Sequence, residues 1–203
     1  NSCWSEDDPV KIAENAGLKI VHINKNDFTF GRSLNFGCRN AKGDILVFIS
    51  AHCYPKYQDW LRQLIIPFED KEVGMVYGKQ RGTKTSNFSE LQLFKKLYPS
   101  QQPNRMRWFA NNANSAIRKD LFDKIQFDED LSGCEDIDYA KKISQLNYRT
   151  IYSFRATIYH LHEENFKQIS NRFYREMIAL KKIFEDFYIQ PKNVVIIFFD
   201  FFK

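Results

Sequence analysis

Three short segments carry most of the side chains that could do chemistry. Ser50–Cys53 follows an apolar run, Gly133–Asp138 begins a predicted helix, and Tyr159–Glu164 follows a predicted strand. Imidazole groups bind metal ions, and a carboxylate can act as a general base. Chemistry at one site therefore requires a fold that brings these three segments together.

Each segment also has an explanation that needs no function. Acidic residues such as Glu135 and Asp136 are favoured in the first turn of a helix by its dipole. His160 and His162 alternate along an extended segment, so their side chains share a face and suit a metal ion, although surface histidines are also common. Cys53 lacks an oxyanion-hole or orienting motif, so packing is favoured over a nucleophilic role.

The elements that must position these residues follow from the apolar pattern. Ile45–Ile49 is a run of five apolar residues, which predicts a buried strand of a parallel sheet. Ser50 and His52 then lie at its carboxyl end, where open α/β sheets bind ligands. Another strand is predicted at Leu18–Ile23, and helices are predicted at Arg32–Ala41 and Glu135–Leu146. The alternation predicts an α/β three-layer sandwich with a central, mostly parallel sheet.

Composition limits the class of protein and its partners. The chain has 203 residues, of which 43% are hydrophobic and 27% are charged, as in an ordinary globular protein. The net charge of +5 suits an anionic ligand or a membrane surface but is too diffuse to indicate nucleic acid. The four cysteines follow no disulfide or zinc-finger spacing, which favours a reduced, cytoplasmic setting.

The order of the motifs resembles the family 2 glycosyltransferases, which have the GT-A fold. The resemblance is closest to rhamnosyltransferase-type enzymes of surface polysaccharide assembly. It rests on these segments: Phe30–Gly37, Ala41–Phe48, Ser50–His52, Asn112–Arg118, Phe127–Glu129, Glu135–Asp136 and His160–His162.

The resemblance implies a GT-A catalytic domain over residues 1–190, with the first strand of the nucleotide-binding half missing upstream. It also implies a nucleotide-sugar donor and a glycan or lipid-linked acceptor. An apolar tail, 191–203, follows. The sequence leaves two explanations for that tail open, which are contact with a membrane interface at the inner face and packing against its own domain.

By the same resemblance, Asp136 is the general base of an inverting transfer, with Glu135 as its neighbour. His52, His160 and His162 are the candidate metal ligands. Most relatives carry Asp-x-Asp where this chain has Ser50-Ala51-His52. Imidazoles could still bind Mn²⁺ or Mg²⁺, but Ser50 replaces an anionic ligand poorly, so the metal requirement stays open.

The remaining predicted site residues are polar side chains near the same strand. Arg32 and Asn35 are predicted either to contact the diphosphate or to lie on a solvated helix face. Asn112 and Asn114 are predicted either to shape the acceptor or donor-sugar pocket or to form turn hydrogen bonds. Ser50 is a further candidate for substrate binding. Two other functions are compatible with the sequence. One is a non-catalytic module that binds nucleotide sugar or glycan, which the loss of Asp-x-Asp favours. The other is a nucleotidyltransferase, which would require a glycine-rich phosphate loop.

Overall fold

The computed structural model describes residues 9–84, 86–101, 108–161 and 164–184. The helices are α1 Pro9–Asn15, α2 Phe30–Asn40, α3 Trp60–Ile65, α4 Phe88–Leu97, α5 Lys119–Phe122, α6 Glu135–Gln145 and α7 Phe166–Ile183. The strands are β1 Ile45–Ile49, β2 Cys53–Pro55, β3 Val73–Arg81, β4 Asn114–Arg118 and β5 Arg149–His160. Within these ranges, no helix is long and apolar enough to cross a bilayer.

The five strands form one mixed sheet in the order β1-β4-β3-β5-β2. β4 is antiparallel to both β1 and β3, β3 is parallel to β5, and β2 is antiparallel to β5. Three strands, β1, β3 and β5, therefore point in the same direction. Their carboxyl ends and the start of β4 meet at one edge, which we call the carboxyl edge of the sheet.

Helices cover both faces of the sheet, so the predicted three-layer α/β architecture is confirmed. On one face, Met75 and Tyr77 of β3 pack with α4, α5 and α6 in the larger buried cluster. On the other face, Val76 and Ala116 pack with Leu64 of α3 in a smaller cluster. Successive residues of β3 thus pack into two separate hydrophobic clusters, because neighbouring side chains of a strand point to opposite faces of the sheet.

Among the described residues, side chains cap the start of two helices. Thr29 Oγ1 accepts a hydrogen bond from the Arg32 amide at the start of α2 (3.1 Å). Asn165 and Gln168 form a reciprocal capping box at the start of α7. These caps satisfy amide groups that have no partner inside the helix.

Two predicted strands need correction. Ile45–Ile49 is a strand, but its pairing with β4 is antiparallel, and Val47 and Ile49 are 37% and 43% exposed. β1 has one strand neighbour among the described residues, which leaves part of its surface uncovered. Leu18–Ile23 is not a strand, because no described segment pairs with it.

Candidate functional site

Two histidines that are far apart in the sequence meet at the carboxyl edge. His52 lies in the turn before β2, and His160 is the last residue of β5. Antiparallel pairing places Cys53 opposite His160, and the Leu161 amide donates to the His52 carbonyl (3.1 Å). The two Nε2 atoms are 2.8 Å apart. The third predicted metal ligand, His162, lies outside the described residues.

The turn that carries His52 begins at Ser50. The Ser50 amide donates to the Ala113 carbonyl (3.3 Å), and the Cys53 amide donates back to the Ser50 carbonyl (3.0 Å). Ser50 therefore connects the end of β1 to the segment before β4. Ser50 lies at the carboxyl end of β1, as predicted. Its backbone forms a turn there, and its side chain is a hydroxyl group where most relatives have a carboxylate.

Hydrogen bonds fix the orientation of the His160 ring. The Ala113 amide, which can only donate, points to Asn111 Oδ1 (3.0 Å). Asn111 Oδ1 also accepts from Gln80 Nε2 (2.8 Å), so Gln80 Oε1 faces His160 Nδ1 at 2.6 Å. His160 Nδ1 therefore donates to Gln80, and in the neutral ring Nε2 is left with its lone pair.

Cys53 completes a group of three donors. His52 Nε2 and His160 Nε2 face each other, and the ligand atoms of His52, Cys53 and His160 all lie within 4.8 Å of one another. Burial raises the pKa of the Cys53 thiol to about 12, so the thiol is protonated near neutral pH. Two imidazoles and a thiol suit a divalent cation such as zinc, whereas magnesium and manganese prefer oxygen ligands.

The acidic pair lies at the start of α6. Asp136 accepts hydrogen bonds from the backbone amides of Asn112 (2.8 Å) and Ile137 (2.8 Å). Burial raises the pKa of the Asp136 carboxyl to about 6, although these two hydrogen bonds oppose the shift. A carboxyl group with such a pKa can accept a proton near neutral pH and remain ionised beforehand.

Glu135 is also buried. The residue is 7% exposed, and burial raises the pKa of its carboxyl to about 7. Its Oε1 atom has no hydrogen-bond partner among the described residues. The preceding residue, Cys134, has a φ of 60°, in the left-handed region that non-glycine residues rarely occupy. Strain of this kind and unpaired buried polar groups both occur at functional sites.

The loop before β4 connects the histidines to the acidic pair. The side chain of Asn111 accepts a hydrogen bond from Gln80, and Gln80 accepts one from His160. The next residue, Asn112, donates its backbone amide to Asp136. Asn112 Oδ1 accepts from Ser115 Oγ (2.8 Å), but Asn112 Nδ2 is buried and has no partner in the described part of the chain. Asn112 therefore retains an unused donor beside the candidate base.

Asn114 has a structural role instead of the predicted contact with a sugar. It is fully buried, and its Nδ2 donates to the carbonyls of Lys79 (3.1 Å) and Ala156 (2.8 Å). The pairing of β3 with β5 is shifted between Gly78 and Lys79, and the amide of Asn114 fills the gap. Its Oδ1 accepts from Trp60 Nε1 (3.0 Å). A Cβ atom on Gly78 would lie 2.2 Å from Asn114 Nδ2, so this position requires glycine.

Arg32 and Asn35, the predicted diphosphate contacts, form hydrogen bonds with the 127–129 loop. Arg32 Nε donates to Glu129 Oε2 (3.0 Å), and Asn35 Nδ2 donates to Glu129 Oε1 (3.0 Å). Asn35 is almost fully buried and exchanges two hydrogen bonds with the backbone of Phe127. These side chains fasten α2 to the 127–129 loop, and their hydrogen bonds lower the pKa of the Glu129 carboxyl.

Comparison with known proteins identifies the family. The model of glycosyl transferase family 2 matches residues 4–126, which is more than half of the chain. The chain belongs to glycosyltransferase family 2. The match ends before Glu135, Asp136 and His160, so the family assignment does not by itself give these residues a role.

Curated relatives and solved structures agree with this family and fold. The chain is 22% identical over 183 residues to the O-antigen chain rhamnosyltransferase RfbN of Salmonella typhimurium, covering 84% of this chain and 58% of that protein. It is 24% identical over 182 residues to the O-antigen chain rhamnosyltransferase WbaN of Salmonella anatum. The chain therefore spans a little over half the length of these relatives.

Two solved structures show the GT-A likeness. A mannosyltransferase from Pyrobaculum calidifontis, in complex with GDP-Man and Mn²⁺, has a TM-score of 0.68 at 20% identity, covering 91% of this chain and 52% of that one. Glucosyl-3-phosphoglycerate synthase from Mycobacterium tuberculosis, with Mn²⁺ and UDP-Glc, has a TM-score of 0.60 at 14% identity, covering 89% and 65%. At these identities the likeness establishes the fold.

Sequence reasoning missed Gln80, Asn111 and the metal-binding potential of Cys53. Gln80 is a buried polar residue in a strand whose other residues are mostly apolar, and that contrast was the available signal. Cys53 directly follows His52 at the start of a strand, but its proximity to His160 depends on the pairing of β2 with β5.

Proposed function

We propose that the chain transfers a sugar from a nucleotide-sugar donor to a hydroxyl group of a glycan or lipid-linked acceptor, with inversion at the anomeric carbon. Asp136 is the general base in this proposal. The observation that carries it is the setting of Asp136, whose carboxyl group has a raised pKa and is held by the Asn112 amide. The family membership and the rhamnosyltransferase relatives support the reaction class.

The proposed reaction is a single displacement. The acceptor hydroxyl transfers its proton to the Asp136 carboxylate while its oxygen bonds to the anomeric carbon. The bond from that carbon to the diphosphate breaks, and the electron pair leaves with the diphosphate. Attack from the face opposite the leaving group inverts the configuration at the anomeric carbon. General-base catalysis of this kind contributes about 10²- to 10⁴-fold to the rate.

Glu135 and Asn112 support the base. A protonated Glu135 at neutral pH adds no second negative charge beside Asp136, and its pKa of about 7 permits that state. Asn112 donates its backbone amide to Asp136, and its side-chain Nδ2 has no hydrogen-bond partner among the residues that the structure describes, which suits a hydroxyl group of either sugar. We infer that Asn112 orients the acceptor or the donor sugar.

The leaving diphosphate requires positive charge. We propose that His52 and His160, at the carboxyl edge of the sheet, hold a divalent cation there, as the Mn²⁺ in the two solved structures supports. A divalent cation in this position would offset the negative charge that develops on the departing oxygen. Gln80 accepts a hydrogen bond from the proton on Nδ1 of His160, so Nε2 is the ring nitrogen that would bind the cation.

Replacement of Asp136 by asparagine tests the proposed base. Asp136→Asn keeps an acceptor for the Asn112 amide, so the fold and donor binding should be retained while turnover falls by about 10²- to 10⁴-fold. Asp120→Asn, at an exposed carboxylate in the first turn of α5, is the matched control and should leave turnover unchanged.

The pH profile gives a second readout. Turnover by the unsubstituted protein should fall as the pH drops below about 6, because the Asp136 carboxyl is then protonated. Equal turnover by Asp136→Asn and the unsubstituted protein would rule out Asp136 as the base. Donor binding with no turnover by the unsubstituted protein would favour the non-catalytic module.

The sugar and the cellular setting are also proposals. The curated relatives are rhamnosyltransferases, so a rhamnose nucleotide is the first donor to test in a panel that also contains GDP-mannose, UDP-glucose and UDP-N-acetylglucosamine. We propose a cytoplasmic enzyme whose lipid-linked acceptor lies at the inner face of the membrane. The apolar tail 191–203, which suggested a membrane contact, lies outside the described residues.

A further inference from the structure

The donor set at the carboxyl edge differs from that of a site built for magnesium or manganese. Its three converging groups are His52 Nε2, Cys53 Sγ and His160 Nε2, and no carboxylate of the described residues belongs to the group. Nitrogen and sulfur ligands favour zinc and similar cations, while oxygen ligands favour magnesium and manganese. The position is the same as that proposed for the cation above, but the chemistry of the ligands selects a different class of ion.

The surroundings of the three donors resemble those of a metal site. Metal-binding histidines usually donate their second ring N–H to an oxygen, which fixes the tautomer that leaves the ligating nitrogen unprotonated. Gln80 Oε1 accepts such a bond from His160 Nδ1 at 2.6 Å. Gln80 is 1% exposed, and Asn111 holds its amide group in that orientation.

The site is also accessible. His52 is exposed, Cys53 is half-buried and His160 is buried, so the group opens to solvent on the His52 side. An ion could enter there, and a fourth position would face the same side. An open fourth position distinguishes zinc sites that bind a further ligand from closed structural sites.

We propose that His52, Cys53 and His160 form a binding site for a zinc-class divalent cation, with Cys53 as a thiolate ligand and a fourth position for an oxygen of the donor diphosphate. The significance of the fourth position rests on the proposed transfer function, whereas binding of the ion itself does not. Cys53 is the residue that gives the site its preference for zinc-class ions.

Ion binding requires a small movement of the two histidine rings and the transfer of two protons. Tetrahedral zinc with Zn–N bonds of about 2.0 Å separates two ligand nitrogens by about 3.3 Å, so the Nε2 atoms must move apart from their present 2.8 Å. The proton between the two rings moves to Nδ1 of His52, which then ligates through Nε2. The Cys53 thiol loses its proton to solvent, so each ion bound releases one proton.

Cobalt(II) titration tests the site without any need for turnover. Tetrahedral cobalt with a thiolate ligand gives intense visible bands and a sulfur-to-metal charge-transfer band in the near ultraviolet. All proteins carry Cys3→Ser, which removes a thiol outside the described residues. We expect one cobalt ion per chain with both features, and zinc should displace it.

Two cysteine variants make the matched comparison. Cys53→Ser should abolish the charge-transfer band and weaken zinc binding by on the order of 100-fold or more, since loss of a ligand costs at least as much as loss of an outer hydrogen-bond partner. Cys38→Ala removes a buried core thiol and should leave both measurements unchanged. Circular dichroism confirms that each variant is folded.

A third variant tests the selectivity. Cys53→Asp replaces sulfur by oxygen, so it should lower the ratio of zinc to manganese affinity by about tenfold or more, measured by calorimetry. The proposal is overturned if cobalt shows no thiolate band in the Cys3→Ser protein, or if the additional Cys53→Ser substitution leaves zinc binding equally tight. A zinc-binding protein that turns over no nucleotide sugar would contradict the proposed function and leave the metal site established.

Discussion

The buried carboxyl group of Glu135 should make the stability of the fold depend on pH. Its pKa rises from 4.5 to about 7 on folding, chiefly because the side chain is removed from water. Each tenfold change in proton affinity corresponds to about 1.4 kcal/mol, so ionised Glu135 lowers the free energy of unfolding by about 3 kcal/mol above pH 7. Because the folded state binds the extra proton, the fold is, with respect to this group, most stable below pH 4.5, and it loses this stability as the pH rises from about 4.5 to 7.

Replacement of Glu135 by glutamine isolates that contribution. Glu135→Gln resembles the protonated side chain, so at pH 4, below both pKa values, its free energy of unfolding should equal that of the unsubstituted protein within about 0.5 kcal/mol. At pH 8 the variant should be more stable by about 3 kcal/mol. Urea denaturation followed by tryptophan fluorescence measures both values.

Glu129 provides a control of opposite sign. Hydrogen bonds from Asn35 and Arg32 lower the pKa of its carboxyl, so the ionised form stabilises the fold and that stability is lost as the pH falls. Glu129→Gln should therefore destabilise the protein at pH 8. The reasoning about Glu135 would be refuted if Glu135→Gln had the same pH dependence as the unsubstituted protein, or lower stability at pH 8.

Substitutions at three further positions test individual contacts and backbone strain. Gln80→Leu removes the acceptor that fixes the tautomer of His160, so ¹⁵N NMR should detect a mixture in which the proton lies on Nδ1 or on Nε2. Gln80→Glu should preserve Nδ1–H. An unchanged ring in Gln80→Leu would contradict this role of Gln80. Asn114→Ala loses three buried hydrogen bonds and should lower the free energy of unfolding by about 3 to 5 kcal/mol in urea, and a loss below about 1 kcal/mol would contradict its role. Asn147 lies two residues after the end of α6 and has a φ of 65°. Asn147→Ala should therefore lower the free energy of unfolding by about 1 kcal/mol, measured by thermal denaturation, whereas Asn147→Gly should not lower it. Equal effects of the two substitutions would contradict the strain argument.

The sequence predicted the elements whose signals are local. The helix beginning at Glu135 was placed correctly because its acidic first turn and its apolar spacing lie within a few residues. The apolar run at Ile45–Ile49 was likewise identified as a strand. Its antiparallel pairing could not be predicted, since that depends on β4, a segment about 70 residues further along the chain.

The roles of individual polar residues were harder to predict. The family resemblance nominated His52 and His160, and the structure brings them together. Composition and spacing gave no indication that Asn35 would bind Glu129, or that a register shift would bury Asn114 between two strands. An asparagine in a motif has the same sequence signature whether its amide meets a ligand or a backbone carbonyl.

The close fit of Gly78 against Asn114 has an evolutionary consequence. A larger side chain at position 78 would occupy the space of the asparagine amide, while a smaller side chain at position 114 would leave two carbonyl groups without donors. Neither position can change alone at low cost. Among homologues the two positions should covary, and a mutagenesis library that randomises only one of them should recover almost exclusively the parental residue.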